Sequence, residues 1–133
     1  MPTISITSIT CLATSGDHAD SNSNDEVWLL ALSDNKAPVR YPSAPLTAQS
    51  MNTTADPDKG VVVTWGINGD LVLTCDECVN LTLYEQDFYL DLDATDYLGN
   101  TKFASDGDIP TSPVIVTNGS QSRYQIDFEV LQS

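Results

Sequence analysis

Positive charge is what this sequence most lacks. Of its 133 residues only Lys36, Arg40, Lys59, Lys102 and Arg123 are basic, against 19 Asp and Glu, and the formal net charge is -14. The five are scattered and make no patch, which argues against nucleic acid as a partner. The same balance opposes direct attraction to an anionic membrane surface. Cysteine is also scarce: Cys11, Cys75 and Cys78 are too few for a disulfide framework. The single histidine, His18, leaves no Ser-His-Asp or Cys-His pair to argue from, and the chain is not read as an enzyme. No apolar run approaches the roughly 18 residues that a membrane helix needs. The segment from Met1 to Asp17 has no basic start and no long apolar stretch, so no secretory signal is expected. The expected location is the cytoplasm or an exported state reached without such a signal, and peripheral membrane attachment fits either. No stretch shows a helical period.

What is present is a globular composition, 41% hydrophobic, with short alternating runs. Residues 3–13 alternate Ile and Leu with Ser and Thr, and the period drifts at Ser8-Ile9, which allows a bulge. Glu26 to Ser33 reads as a strand buried on both faces, and Val39 to Tyr41 as a short one. Residues 42–59, rich in Pro, Ser and Thr, read as a long connection over an edge or an end of the sheets. Val61 to Trp65 and Asp70 to Cys75 read as two strands joined by a hairpin turn at Gly66 to Gly69. Val79 to Glu85, Leu98 to Phe103, Val114 to Val116 and Arg123 to Leu131 complete the series. Trp28 and Trp65 fall inside apolar strands and are expected in the core. Together these predict an all-β chain, a single antiparallel β-sandwich domain over 1–133 with about eight strands.

Acids cluster in two loops. Leu83 to Gly99 carries Glu85, Asp87, Asp91, Asp93 and Asp96, which repel one another unless a cation or salt screens them. Gly16 to Glu26 carries Asp17, Asp20, Asp25 and Glu26. If the fold brings the loops together they form a pocket of oxygen ligands, which suits calcium. Asp20-x-Asn22-x-Asn24 begins like an EF-hand loop. Asp25 stands where that loop needs Gly, however, and Ala31 where it needs Glu. Cys75-Asp76-Glu77-Cys78 lies between strands, not at a helix start, and reads as a turn with two ordinary thiols.

The two loops resemble those of C2 domains, β-sandwiches that bind calcium at one end. Asn24-Asp25-Glu26-Val27-Trp28 resembles the second half of the family's first loop, with Asp20 or Asp17 in the earlier role. Leu83-Tyr84-Glu85-Gln86-Asp87 resembles the opening of its third loop, and Asp96-Tyr97-Leu98-Gly99 the close. Glu85 replaces the usual Asp, no Pro follows Asp25, and the long spacer adds Asp91 and Asp93. The segment from Pro38 to Gly60 does not resemble the family. One strand before the first loop and a good strand at the end resemble the circularly permuted arrangement, in which the terminal strand fills the missing position.

The resemblance implies Ca2+ as cofactor, with Asp17, Asp20, Asp25, Glu85, Asp87, Asp93 and Asp96 as the metal ligands. It implies calcium-dependent attachment to an anionic phospholipid membrane or to a protein partner. Phe88, Tyr89 and Leu90, inside the second acidic loop, are the expected contact residues. The alternative is a structural or interaction subunit, or an effector, in which calcium only stabilises the sandwich or is absent.

Overall fold

The computed structural model describes residues 3–15, 24–33, 36–44, 47–74, 78–86, 95–104, 111–118 and 122–131. Among the described residues nine strands pack as two antiparallel sheets: β1 (Thr3–Ala13), β2 (Asp25–Ser33), β3 (Val39–Tyr41), β4 (Gln49–Met51), β5 (Thr64–Thr74), β6 (Cys78–Gln86), β7 (Thr95–Ala104), β8 (Val114–Asn118) and β9 (Ser122–Leu131). The first sheet runs β5-β1-β9-β8, and the second β3-β2-β6-β7 with β4 on the remaining part of β2. The chain is therefore the all-β sandwich that alternation predicts. Inward residues of both sheets form one core, including Ile4, Ile6 and Ile9 of β1, Leu81 and Leu83 of β6, and Tyr124 and Ile126 of β9. Among the described residues no helix is long and apolar enough to cross a membrane.

The drift read at Ser8-Ile9 is a bulge. Ile6 pairs with Phe128 and Ser8 with Asp127, so Thr7 has no partner on β9. The extra residue restores the inward phase, which lets Ile9 and Cys11 face the core after Ile4 and Ile6. The Gly66–Gly69 signal, expected to make a hairpin, does something else. Both halves of β5 run along β1 in one direction, and residues 67–70 bow out opposite Thr7 between the pairs Ser8–Gly66 and Ile6–Leu71. Asn68 and Gly69 take positive φ of 53° and 87° there. A turn signature reports only that the backbone needs φ > 0, and a wide bulge needs it as much as a hairpin does.

Two further expectations change. Strand β2 is buried on one face only: Asp25, Val27, Leu29 and Ala31 point inward, while Trp28 and Leu30 are half-buried on the outer face. Trp28 is thus not a core residue, whereas Trp65 is. The 42–59 connection does cover an edge, with more structure than its composition suggests. Arg40 pins it, donating to the carbonyls of Pro42, Ala44 and Thr47 and to Gln86 Oε1. Strand β4 then pairs with β2, and a 3-10 turn over Pro57–Lys59 ends at Gly60, whose φ is 71°.

The sandwich is tied along both sides. On one side the Ser50 carbonyl accepts from the Val62 amide and the Val63 carbonyl from Cys11 of β1, so a hydrogen-bonded path crosses between sheets. Tyr41 of β3 also stacks on Trp65 of β5 at 5.4 Å. On the other side Gly99 of β7 lies against β8. A Cβ at Gly99 would sit 2.7 Å from Val116 Cβ, and its φ of +151° disfavours side chains in any case. Gly99→Ala is therefore expected to destabilise the protein by about 2–4 kcal/mol in urea unfolding, because strain and overpacking act together. A loss under about 0.5 kcal/mol, the range of an ordinary surface change, would contradict this account of the β7–β8 approach.

Candidate functional site

Both acidic loops leave the same end of the sandwich. The first joins the end of β1 to the start of β2, and the second joins the end of β6 to the start of β7. Val27 pairs with Glu85, and Gln86 with Thr95, so the loop bases lie side by side on neighbouring strands. Strand pairing reaches further towards the second loop than the sequence suggests. Glu85 belongs to β6 and Asp96 to β7, and the two stand directly opposite one another in the ladder.

Period-2 alternation decides where Asp25 and Glu85 point. Asp25 heads the inward series of β2, and Glu85 continues the inward series Val79, Leu81, Leu83 of β6. Both are buried, Asp25 at 0% and Glu85 at 3% exposure. Burial of a carboxylate demands hydrogen-bond donors in place of water. Ser15, just beyond β1, supplies two of them to Asp25: its N–H donates to Oδ2 at 2.9 Å and its hydroxyl to Oδ1 at 2.7 Å. Tyr124 of β9 supplies a third, its O–H donating to Oδ2 at 2.5 Å. The Ser15 hydroxyl also lies 2.9 Å from Glu85 Oε2. That hydroxyl has one hydrogen and two carboxyl neighbours, so it can donate to only one at a time.

Of the residues expected to bind metal, the structure thus brings Asp25 and Glu85 together through Ser15. It sets the Asp96 backbone beside Glu85, but the Asp96 side chain lies outside the described residues, as do Asp17, Asp20, Asp87 and Asp93. The expected contact residues Phe88, Tyr89 and Leu90 lie outside them too, with the CxxC thiols. Among the described residues no group of three or more His, Cys, Asp or Glu is gathered to hold a metal. Close by, the Asn52 side-chain amide donates to Asn24 Oδ1 at 2.7 Å, and Ser50 Oγ to the Glu26 carboxylate, which ties β4 to the mouth of the first loop.

Ser15, Tyr124 and Cys11 are members of this site that motif reading misses. Only Tyr124 leaves a trace in the sequence: a phenol at the head of an Ile/Phe inward series needs a polar partner for its tip. Cys11 is buried beneath the network. Burial pushes its thiol up from the ordinary 9.0 to about 11; the Tyr124 contact opposes this and the Asp25 charge adds to it. Burial, and then the charge of Asp25, push the Tyr124 phenol strongly upward as well.

Both shifts favour the protonated form in the folded state. For Cys11 the contribution is complete below pH 9.0, where the unfolded thiol still holds its proton, and is lost as pH rises through about 11. Stability measured by urea midpoint therefore falls from pH 9 upward. The Cys11 peptide also resists alkylation at pH 8.5 in the folded protein and reacts once the chain is unfolded. Rapid alkylation of folded Cys11 would contradict its burial. Tyr124→Phe keeps the ring but removes a donor from a buried carboxylate, and is expected to cost about 1.5–3 kcal/mol of stability. No protein-family model and no curated protein matches this sequence.

Proposed function

We propose that this chain is a C2-like module whose acidic end binds calcium and, through it, attaches the protein to an anionic phospholipid surface or a protein partner. The observation that carries the reading is the convergence of Asp25 and Glu85 on one Ser15 hydroxyl, with both acidic loops rooted around them. This donor set is all oxygen, which is the character of a hard-cation site. The strand order supports the family resemblance. One strand precedes the first acidic loop, and the terminal strand β9 lies beside β1 as the permuted arrangement requires.

Within this reading Asp25 and Glu85 form the floor of the site. Asp17, Asp20, Asp87, Asp93 and Asp96 are the further ligands from the loops. Phe88, Tyr89 and Leu90 are the residues that meet the membrane or partner. Calcium, when bound, supplies positive charge that offsets the acidic end and offers open coordination positions to headgroup oxygens.

The second reading is a structural or interaction module in which calcium is stabilising or absent. The burial of Asp25 favours it, because that carboxylate already works as a tie between sheets. Thermal melting and vesicle binding separate the two. The first reading expects a higher melting temperature in millimolar calcium than in chelator, by linkage, and co-sedimentation with anionic vesicles only in calcium. An unchanged melting temperature sinks the calcium site. A rise in melting temperature without vesicle or partner binding leaves the second reading.

A further inference from the structure

The outer face of the second sheet carries a row of aromatic rings. Trp28 of β2, Tyr84 of β6 and Tyr97 of β7 stand opposite one another in register. Trp28 and Tyr84 stack with ring centroids 4.8 Å apart, and Tyr97 meets Tyr84 edge to face at 6.5 Å. The two ends of the row differ. At one end the Arg40 guanidinium lies 4.5 Å over the Trp28 ring. At the other, β7 is the last strand of its sheet, and Tyr97 is 44% exposed. The row therefore has a cation at one end and a partly exposed ring at the other.

We propose that the Tyr97 end of this row receives an arginine side chain from a basic protein partner. Three observations fix the chemistry. The row already accepts a guanidinium at Trp28, which shows that a planar cation fits rings of this sheet face. The protein around it carries a net charge of -14, which concentrates cations near the surface and repels phosphate and carboxylate ligands. The arginine already on the row is committed: Arg40 donates to three backbone carbonyls and Gln86, so it is held at its own end. A guanidinium against the exposed part of the Tyr97 ring is attracted by the ring quadrupole and by the long-range field together. This surface uses none of the proposed calcium ligands, but Tyr97 directly follows one of them, Asp96, so the test is run in chelator.

The test uses a fluorescently labelled arginine-rich peptide, with a glutamine-for-arginine peptide as control, titrated against the full chain in chelator. The arginine peptide binds and the glutamine peptide does not. Tyr97→Phe keeps the affinity, because the ring and not the hydroxyl is used. Tyr97→Ala loses about two- to fivefold, the size of an exposed cation–π contact. In wild-type protein the peptide's arginine Cδ protons shift upfield by ring current. This shift survives in Tyr97→Phe and disappears in Tyr97→Ala. Far-UV circular dichroism reports whether the variants fold, and if Tyr97→Ala does not, the ring-current shift on the wild type decides. Equal affinity for wild type and a folded Tyr97→Ala overturns the proposal, as does a glutamine peptide that binds equally well, or the absence of any ring-current shift.

Discussion

A carboxylate with no exposed surface must be solvated by the protein alone, and Asp25 is in that position. Its donors come from the opposite sheet: Ser15 follows β1, and Tyr124 is in β9. Asp25 itself starts β2. The need to satisfy one buried charge therefore joins the two sheets at one end and fixes the point at which both acidic loops leave. Hydrogen bonds to a charged group are worth about 1.5–3 kcal/mol each, so several of them rival the whole margin by which a domain of this size is stable. Removing the charge together with its donors would cost far less than removing a donor alone, since the penalty lies in stranding the carboxylate.

At the same end the structural tie and the proposed cation site would draw on one set of atoms. A tie between sheets wants every oxygen of Asp25 occupied by donors. A cation site wants oxygens left available. Asp25 leans towards the first, with Oδ2 accepting from two donors. Glu85 meets the same Ser15 hydroxyl from the neighbouring strand, so the two acids share one polar contact. Arg40 plays a comparable part on the outer face, where one side chain both covers Trp28 and gathers the 42–47 segment.

Legibility in the sequence follows from how local each signal is. Alternation is local, so β1 with its bulge, β6 and β9 can be read directly, and the same period points Asp25 and Glu85 inward. The Gly66–Gly69 segment misleads because φ > 0 is local but its use is not: only pairing of both flanks with β1 distinguishes a bulge from a hairpin. Trp28 misleads because an apolar run does not show that Arg40 and Tyr84 cover its outer side. The Tyr124–Asp25 bond spans 99 positions and leaves no pattern along the chain. The connection at 42–59 is compositionally a loop, and β4 forms there because β2 offers it an unpaired edge.

The close packing of β7 on β8 has a consequence for self-association. A sheet edge with unpaired carbonyls invites a strand from another molecule. Here the Asn118 amide and the Ser122 hydroxyl occupy the carbonyls of Tyr97 and Leu98. These side chains stand where an incoming backbone would have to bond, and Leu98 is itself the extra residue of a bulge that breaks the regular spacing. This stretch of edge is therefore unsuited to templating a further strand. A molecule that meets it must do so with side chains, and chains of this protein at high concentration are kept from growing into a continuous sheet through it.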